Sequence, residues 1–297
     1  MDVHFCGVRG STPAPGLPFV RYGGHTSSVA IAHDGERPTL VLDGGTGLRA
    51  VTPLLQGMPY DGSILLGHLH WDHVHGLPFF KGGGATGARV DVLLPAPDGD
   101  PVETLARGMS PPHFPIGPAL LGAGWSFGAL REGAFHAEGF SVLAREIPHK
   151  GGQTFGFRVS DGQTSLAYMS DHAPLCLGPG PDGQGELHDA VLELAAGVDL
   201  LIHDAQFVAS EFPGVAYLGH ASVEYAIGLA RAAGARSLAL FHHSPERTDV
   251  EIDQIVRDRL PVDLNMFAAA EGVVVPLHTV QHRQRRKTCS PGMTNNV

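Results

Sequence analysis

Ten residues, Gly67-His68-Leu69-His70-Trp71-Asp72-His73-Val74-His75-Gly76, constrain this chain more than any other feature. They carry the spacing H-x-H-x-D-H directly after an apolar run, 64–66, that reads as the end of a buried strand. Along an extended chain alternate side chains share a face, so His68 and His70 point the same way. The chain then turns toward a helix, where Asp72 and His73 can aim at a second point nearby. Two imidazoles for one cation, and a carboxylate plus an imidazole for its neighbour, are the parts of a two-metal hydrolytic centre. Such a centre needs further ligands from distant sequence, so the fold has to bring several strand ends to one place.

Three later residues stand in positions to do this. His149 follows the apolar run 142–147, Asp171 follows 165–168, and His242 follows 238–241. A carboxylate such as Asp171 can bridge two cations, one per oxygen. Asp43, in Asp43-Gly44-Gly45-Thr46-Gly47 after the run 40–42, suits a role of holding a ligand histidine by its other ring nitrogen. A phosphate loop is the rival reading there, but no G-K-[ST] follows. Two more glycine-rich segments, 9–13 and 21–28, offer Arg9, Ser11, His25 and Thr26 as candidates for holding an anionic group of a substrate.

The remaining strand-like runs are 3–6, 28–32, 90–94, 154–159, 200–203 and 273–276. Helical periodicity is clear over 222–233, opened by Ala221/Ser222 and followed by Gly234, and weaker over 185–196 and 250–260. Strands with few helices come first and alternate with helices later, which predicts two packed sheets with outer helices. The glycine- and proline-rich stretch 81–133 reads as a long loop able to cover a site. One domain over 1–280 is expected, followed by a disordered basic tail, 281–297.

Composition narrows the partners. The formal charge is −10, and the tail holds four cations, Arg283, Arg285, Arg286 and Lys287, so the body is more acidic still. Large nucleic acid is disfavoured, whereas a small phosphoester remains open, especially with divalent cations to offset charge. No apolar run approaches the length of a membrane span. The N-terminal residues lack a signal-like pattern, and three scattered cysteines (Cys6, Cys176, Cys289) form no C-x-x-C pair. A cytoplasmic, reducing setting is the expectation.

With these residues in view, the chain resembles the metallo-β-lactamase-fold hydrolases, and within them the ribonuclease Z and cyclic-phosphate phosphodiesterase branch. The likeness rests on Gly7-Val8-Arg9-Gly10-Ser11-Thr12-Pro13, the 43–47 loop, Trp71-Asp72-His73 and the run 220–245, and it covers nearly all of 1–278. It implies an α/β fold of the four-layer αββα type. It implies that His68, His70 and His149 hold one metal, that Asp72, His73 and His242 hold the other, and that Asp171 bridges them. His243 would then face substrate or solvent. His220, in Gly219-His220-Ala221-Ser222, would protonate a leaving alkoxide with Asp204 as its carboxylate partner, and Asp72 would also orient the nucleophile. Zinc is the first expectation, with manganese or iron compatible with the ligand types, and relatives imply a homodimer. The activity implied is hydrolysis of a small phosphodiester, a 3′,5′-cyclic nucleotide or related cyclic phosphate, through a hydroxide bridging two cations. The alternatives are a ribonuclease Z-like RNA 3′-end endonuclease, hydrolysis of a thioester or lactam, and a non-catalytic metal-binding regulatory protein. The chain departs from the pattern in Lys150, which replaces a usual proline, in His25 and His75, and in lacking both a basic tRNA-binding arm and a cysteine-ligated structural zinc site.

Overall fold

The computed structural model describes residues 1–97 and 99–277; the basic tail lies outside the described residues. Among the described residues, fourteen strands form two seven-stranded mixed sheets. The first holds β1 (Asp2–Gly7), β2 (Ser28–Ala32), β3 (Leu40–Leu42), β4 (Asp61–Leu65), β5 (Arg89–Pro95) and β6 (Trp125–Leu130) in sequence order. The second holds β7 (Gly133–Ala137), β8 (Phe140–Glu146), β9 (Phe155–Ser160), β10 (Ser165–Met169), β11 (Leu200–Asp204), β12 (Ser237–Phe241) and β13 (Asn265–Ala268). The last strand, β14 (Val274–Pro276), returns to pair with β1.

Alternation along the strands builds the layers. Val3, Phe5, Leu40, Leu42 and Leu65 from the first sheet meet Phe157, Val159, Leu166, Tyr168, Ile202 and Phe241 from the second in one central core. The intervening residues face outward. Val41, Ile64, Val90 and Val92 pack under Val51 of α1 (Val51–Leu54), Val74 of α2 (Trp71–Val74) and Leu105 of α3 (Pro101–Ala106). On the far side Ala167, Met169, Leu201 and Leu240 pack under α4 (Asp189–Ala195) and α6 (Val223–Ala233). The strands β3, β10 and β12 are therefore apolar on both faces, as a four-layer αββα sandwich requires. The helix α5 (Phe212–Val215) is a single turn, and α7 (Asp249–Arg259) is opened by a capping box between Thr248 and Glu251. Among the described residues no helix is long and apolar enough to cross a membrane.

Strand direction positions the site. β3, β4, β5 and β6 run parallel, as do β10, β11, β12 and β13. Two hairpin-like reversals leave β8 parallel to β10 as well. The carboxyl ends of β3, β4, β8, β10, β11 and β12 thus open on one edge, the place where α/β sheets bind ligands.

The structure corrects two expectations. The stretch 81–133 is not one long loop: besides β5, expected over 90–94, it contains α3 and the edge strand β6, whose half-exposed residues and Gly128 blur the apolar alternation. The helix expected over 185–196 is confined to 189–195: Gly185 adopts φ +121°, and His188 is still extended (φ −116°, ψ 161°).

Phe241 is wholly buried against Phe5 and Tyr168, immediately before His242. Phe241→Ala is expected to destabilise the fold by about 3–5 kcal/mol, measured as a shift in the urea midpoint with unchanged slope.

Candidate metal centre

At the shared edge, donor atoms from His68, His70, His149 and Asp171 converge within 4.8 Å of one another, and so do those of Asp72, His73, Asp171 and His242. Asp171 belongs to both sets and divides its oxygens between them. Oδ2 lies 3.7 Å from His68 Nε2 and 3.5 Å from His149 Nε2, while Oδ1 lies 2.9 Å from His73 Nε2 and 3.2 Å from His242 Nε2. Asp72 Oδ2 is 3.2 Å from both His73 Nε2 and His242 Nε2. The metal-ligand candidates read from the sequence are thus gathered into two adjoining sets.

The outer nitrogens of three rings are fixed by oxygen acceptors. His73 Nδ1–H donates to Asp43 Oδ2 (2.8 Å), His149 Nδ1–H to the Gly219 carbonyl (2.7 Å), and His242 Nδ1–H to Gln206 Oε1 (2.9 Å). Each bond leaves an Nε2 lone pair facing inward, which is how proteins set an imidazole to bind a cation. Asp43 is saturated: it also accepts Gly67 N–H, the Tyr168 hydroxyl and the Ser170 hydroxyl. Gln206 went unnoticed in the sequence, although it stands two residues after Asp204. Gly10 makes room for the His242–Gln206 pair, since any Cβ there would meet both side chains.

The residues present fit a pair of cations. Asp171 and Asp72 are 1% and 8% exposed, and carboxylates so buried are costly unless positive charge faces them. His68 Nε2, His73 Nε2 and Asp171 Oδ1 are buried without a properly aligned hydrogen bond, although they crowd together. Burial opposes charge on the His73 ring, yet Asp171, Asp72 and Asp43 outweigh it and raise its pKa well above the usual imidazole value. Asp171 is buried too, but His242, His73 and His68 hold its pKa well below the carboxylate range. Burial lowers the pKa of His68, His70 and His149, which keeps them neutral donors.

A third set, Asp204, His220 and His242, also converges. Its chemistry differs. Asp204 Oδ2 already accepts His220 Nδ1–H (3.0 Å), His172 N–H and Ala221 N–H, and Oδ1 accepts Gln206 N–H. Burial lowers the His220 pKa, but Asp204, with smaller help from Asp171 and Asp72, raises it to about 9. His220 lines an opening over the cluster together with Ser11, His70, Asp72 and Asp171. Behind it, His172, His188 and His203 form an imidazole chain that the sequence reading passed over: His172 lies 3.1 Å from His203 and 3.0 Å from His188, and His203 Nδ1–H donates to the Asp204 carbonyl.

The substrate-binding candidates separate. Ser11 stays at the opening, and its backbone N–H donates to Asp72 Oδ2 at 2.7 Å. His25 is half-buried, contacts Thr46 Oγ1 and lines a larger cavity beside the centre, one wall of which is the 104–114 segment. Three placements differ from expectation. Arg9 is fully buried, its guanidinium spent on the Gly23, Ser244 and Arg247 carbonyls and on Asp249, so it ties β1 to the segment after β12. Thr26 is buried and braces the 43–47 loop by accepting Thr46 N–H. His243 is buried and bonded to the Ala269 carbonyl, so it faces neither substrate nor solvent.

Gln206→Leu is expected to weaken one of two cation equivalents about 10- to 100-fold and leave the other unchanged. Calorimetric titration of the metal-free protein with zinc would read both.

The description "Beta-lactamase superfamily domain" matches residues 39–243. Curated relatives include a ribonuclease Z from Salinibacter ruber, 27% identical over 76% of this chain and 81% of its own length, and one from Brevibacillus brevis, 35% identical over 30% of this chain. The Brevibacillus match spans only 28% of that relative. Similar solved structures are the metallo-beta-lactamase fold protein YhfI from Bacillus subtilis (TM-score 0.65, 20% identity, 92% of this chain and 98% of that one) and the human tRNase Z short form (0.62, 21%, 94% and 100%). A diphosphatase from the PhnP family gives 0.65 at 18% identity, over 93% and 98%. Together with two sheets whose edges gather a metal-capable His/Asp cluster, these matches show that the chain belongs to the beta-lactamase superfamily, as a metal-dependent hydrolase of the metallo-β-lactamase fold.

Proposed function

We propose that the chain is a phosphodiesterase acting on a small phosphodiester, with a 3′,5′-cyclic nucleotide or related cyclic phosphate as the first candidate. The observation that carries this reading is the His220–Asp204 pair at the mouth of the cluster. Breaking a P–O bond to an alkoxide needs a proton at the departing oxygen, and Asp204, holding the His220 Nδ1–H, raises the pKa of that ring to about 9 and so favours the proton-donating form. Its Nε2–H is left to meet the leaving group.

His68, His70 and His149 would hold one cation and Asp72, His73 and His242 the other, with one oxygen of Asp171 for each; zinc is the first choice for this donor set. When bound, the pair supplies Lewis acidity that makes water a better nucleophile and offsets charge on the phosphoryl oxygens. The chain's own contribution is orientation. Ser11 N–H holds Asp72 from the open side, and Asp43, Gln206 and the Gly219 carbonyl keep three rings turned inward. A second reading, RNA 3′-end cleavage, is favoured by the relatives named ribonuclease Z; the acidic chain counts against it.

Turnover should vanish on chelation and return with zinc or manganese. His220→Ala is expected to lower kcat on cyclic nucleotides by about 10²–10⁴, and to cost far less with bis-p-nitrophenyl phosphate, whose leaving group departs without a proton. Because the folded pKa of His220 is raised, its proton is present at neutral pH and lost as pH rises through about 9. Bound cations would bring that limb lower. A pH–kcat profile of wild type should therefore fall on the alkaline side, with the limb missing in His220→Ala; an equal loss on both substrates would remove His220 from proton transfer. Faster cleavage of tRNA precursors than of any cyclic nucleotide would favour the second reading.

A further inference from the structure

The cavity beside the metal centre has a volume of about 1330 Å³, and Leu69 and Trp71 line both it and the opening over the cluster. That exceeds the roughly 300–1,000 Å³ typical of small-molecule sites. Its lining combines aromatic faces with positive charge. Trp71, 68% exposed, lies stacked on His75, and Phe79 meets Phe114 edge to face at 6.0 Å. Arg49, Lys81 and Arg107 complete the wall, and among the described residues no carboxylate lines it.

This is a local inversion of charge in a chain with 30 acidic and 20 basic residues. Arg21, Arg89, Arg145, Arg231, Arg236, Arg247 and Arg259 are each paired with a carboxylate, whereas Arg131 and Arg158 bond backbone carbonyls and Arg37, like the three cavity cations, has no such partner. What sets Arg49, Lys81 and Arg107 apart is that they line one cavity together, with no ion pair or side-chain hydrogen bond among the described residues. Cations left without partners around aromatic faces complement a ligand that is itself both aromatic and anionic.

We propose that this cavity holds the base-bearing half of the substrate, and that this half carries a phosphate of its own besides the scissile diester. The substrate class is then a nucleotide phosphodiester of dinucleotide size, such as a 5′-phosphorylated dinucleotide. The inference rests on the phosphodiesterase reading and extends it. A cyclic mononucleotide is a minimal substrate in these terms: its one phosphate belongs at the cluster, and the three cations stay unmatched.

The test uses the full, metal-loaded chain and the variants Arg107→Glu and Arg107→Lys; Arg107 does not line the opening over the cluster. kcat/KM is measured on 5′-phosphoadenylyl-adenosine (pApA), on the same dinucleotide without the 5′-phosphate (ApA), and on bis-p-nitrophenyl phosphate. The expected result is at least a tenfold preference for pApA over ApA. Arg107→Glu abolishes the preference, Arg107→Lys restores most of it, and both leave bis-p-nitrophenyl phosphate within twofold. Equal rates on the two dinucleotides, or a parallel loss on all three substrates in Arg107→Glu, would overturn the inference. Binding of adenosine 3′,5′-bisphosphate, followed by quenching of Trp71 fluorescence against a Trp71→Phe control, separates the two readings. If no phosphodiester is turned over, the phosphodiesterase reading fails. Bisphosphate binding that Arg107→Glu weakens tenfold or more would still support the cavity assignment, and no binding at millimolar concentration would sink it.

Discussion

Two carboxylates, Asp72 and Asp171, lie almost wholly out of water among six imidazoles. Placing them there costs several kcal/mol per charge unless positive charge lies within a few ångströms. The rings are arranged to leave that charge to something other than themselves. His73, His149 and His242 have each given Nδ1–H to a fixed oxygen, so their Nε2 atoms are the ones that face the carboxylates. In the His73 ring the carboxylates pull a proton onto the nitrogen that a divalent cation would otherwise take. Competition between proton and cation at this ring makes affinity for a cation fall as pH falls.

The surrounding backbone holds this arrangement under strain. Ser11, Asp43 and His242 all have positive φ, near +60°, a region that non-glycine residues rarely occupy. Bonds at or beside these residues hold them: Asp43 N–H to the Leu65 carbonyl within the first sheet and, between the two sheets, His243 N–H to the Val8 carbonyl and Gly10 N–H to the His243 carbonyl. The buried Arg9, which the sequence offered as an anion ligand, belongs to this scaffold. Its contacts with the Ser244 and Arg247 carbonyls draw the segment after β12 onto the end of β1, and so set His242 against Gly10. Strain of this kind persists where the surroundings over-determine the geometry.

Much of this was legible in the sequence because strand ends are marked twice, by an apolar run and by the polar residue that stops it. Leu66 before His68, Met169 before Asp171 and Phe241 before His242 all show that break, and parallel strands carry such breaks to one edge. Edge strands carry no such mark. β6 and β7 are half-exposed, so their alternation is faint and their glycines read as loop. Side-chain direction was the other blind spot. Arg9 and His243 are the right types in the right neighbourhood, and only the bulge between Phe5 and Gly7 and the positive φ of His242 decide that they turn inward. Gln206 was invisible for the same reason, since nothing in the local pattern says which distant ring an amide will reach.

Asp171 and Asp204 show how neighbouring carboxylates on adjacent parallel strands take on different chemistry. They follow β10 and end β11, and His220 Nδ1 lies between them, 3.7 Å from one and 3.0 Å from the other. Asp204 is surrounded by N–H donors from His172, Gln206, Ala221 and His220, so its lone pairs are committed and it can only stabilise a proton on its partner. Asp171 Oδ1 has no aligned donor and faces the Nε2 atoms of His73 and His242, which leaves it to a cation. The backbone thus separates an acid function from a metal-binding function within one cluster. It does so by where it spends its N–H groups, because one more donor on Asp171 or one fewer on Asp204 would let a single kind of site spread over both.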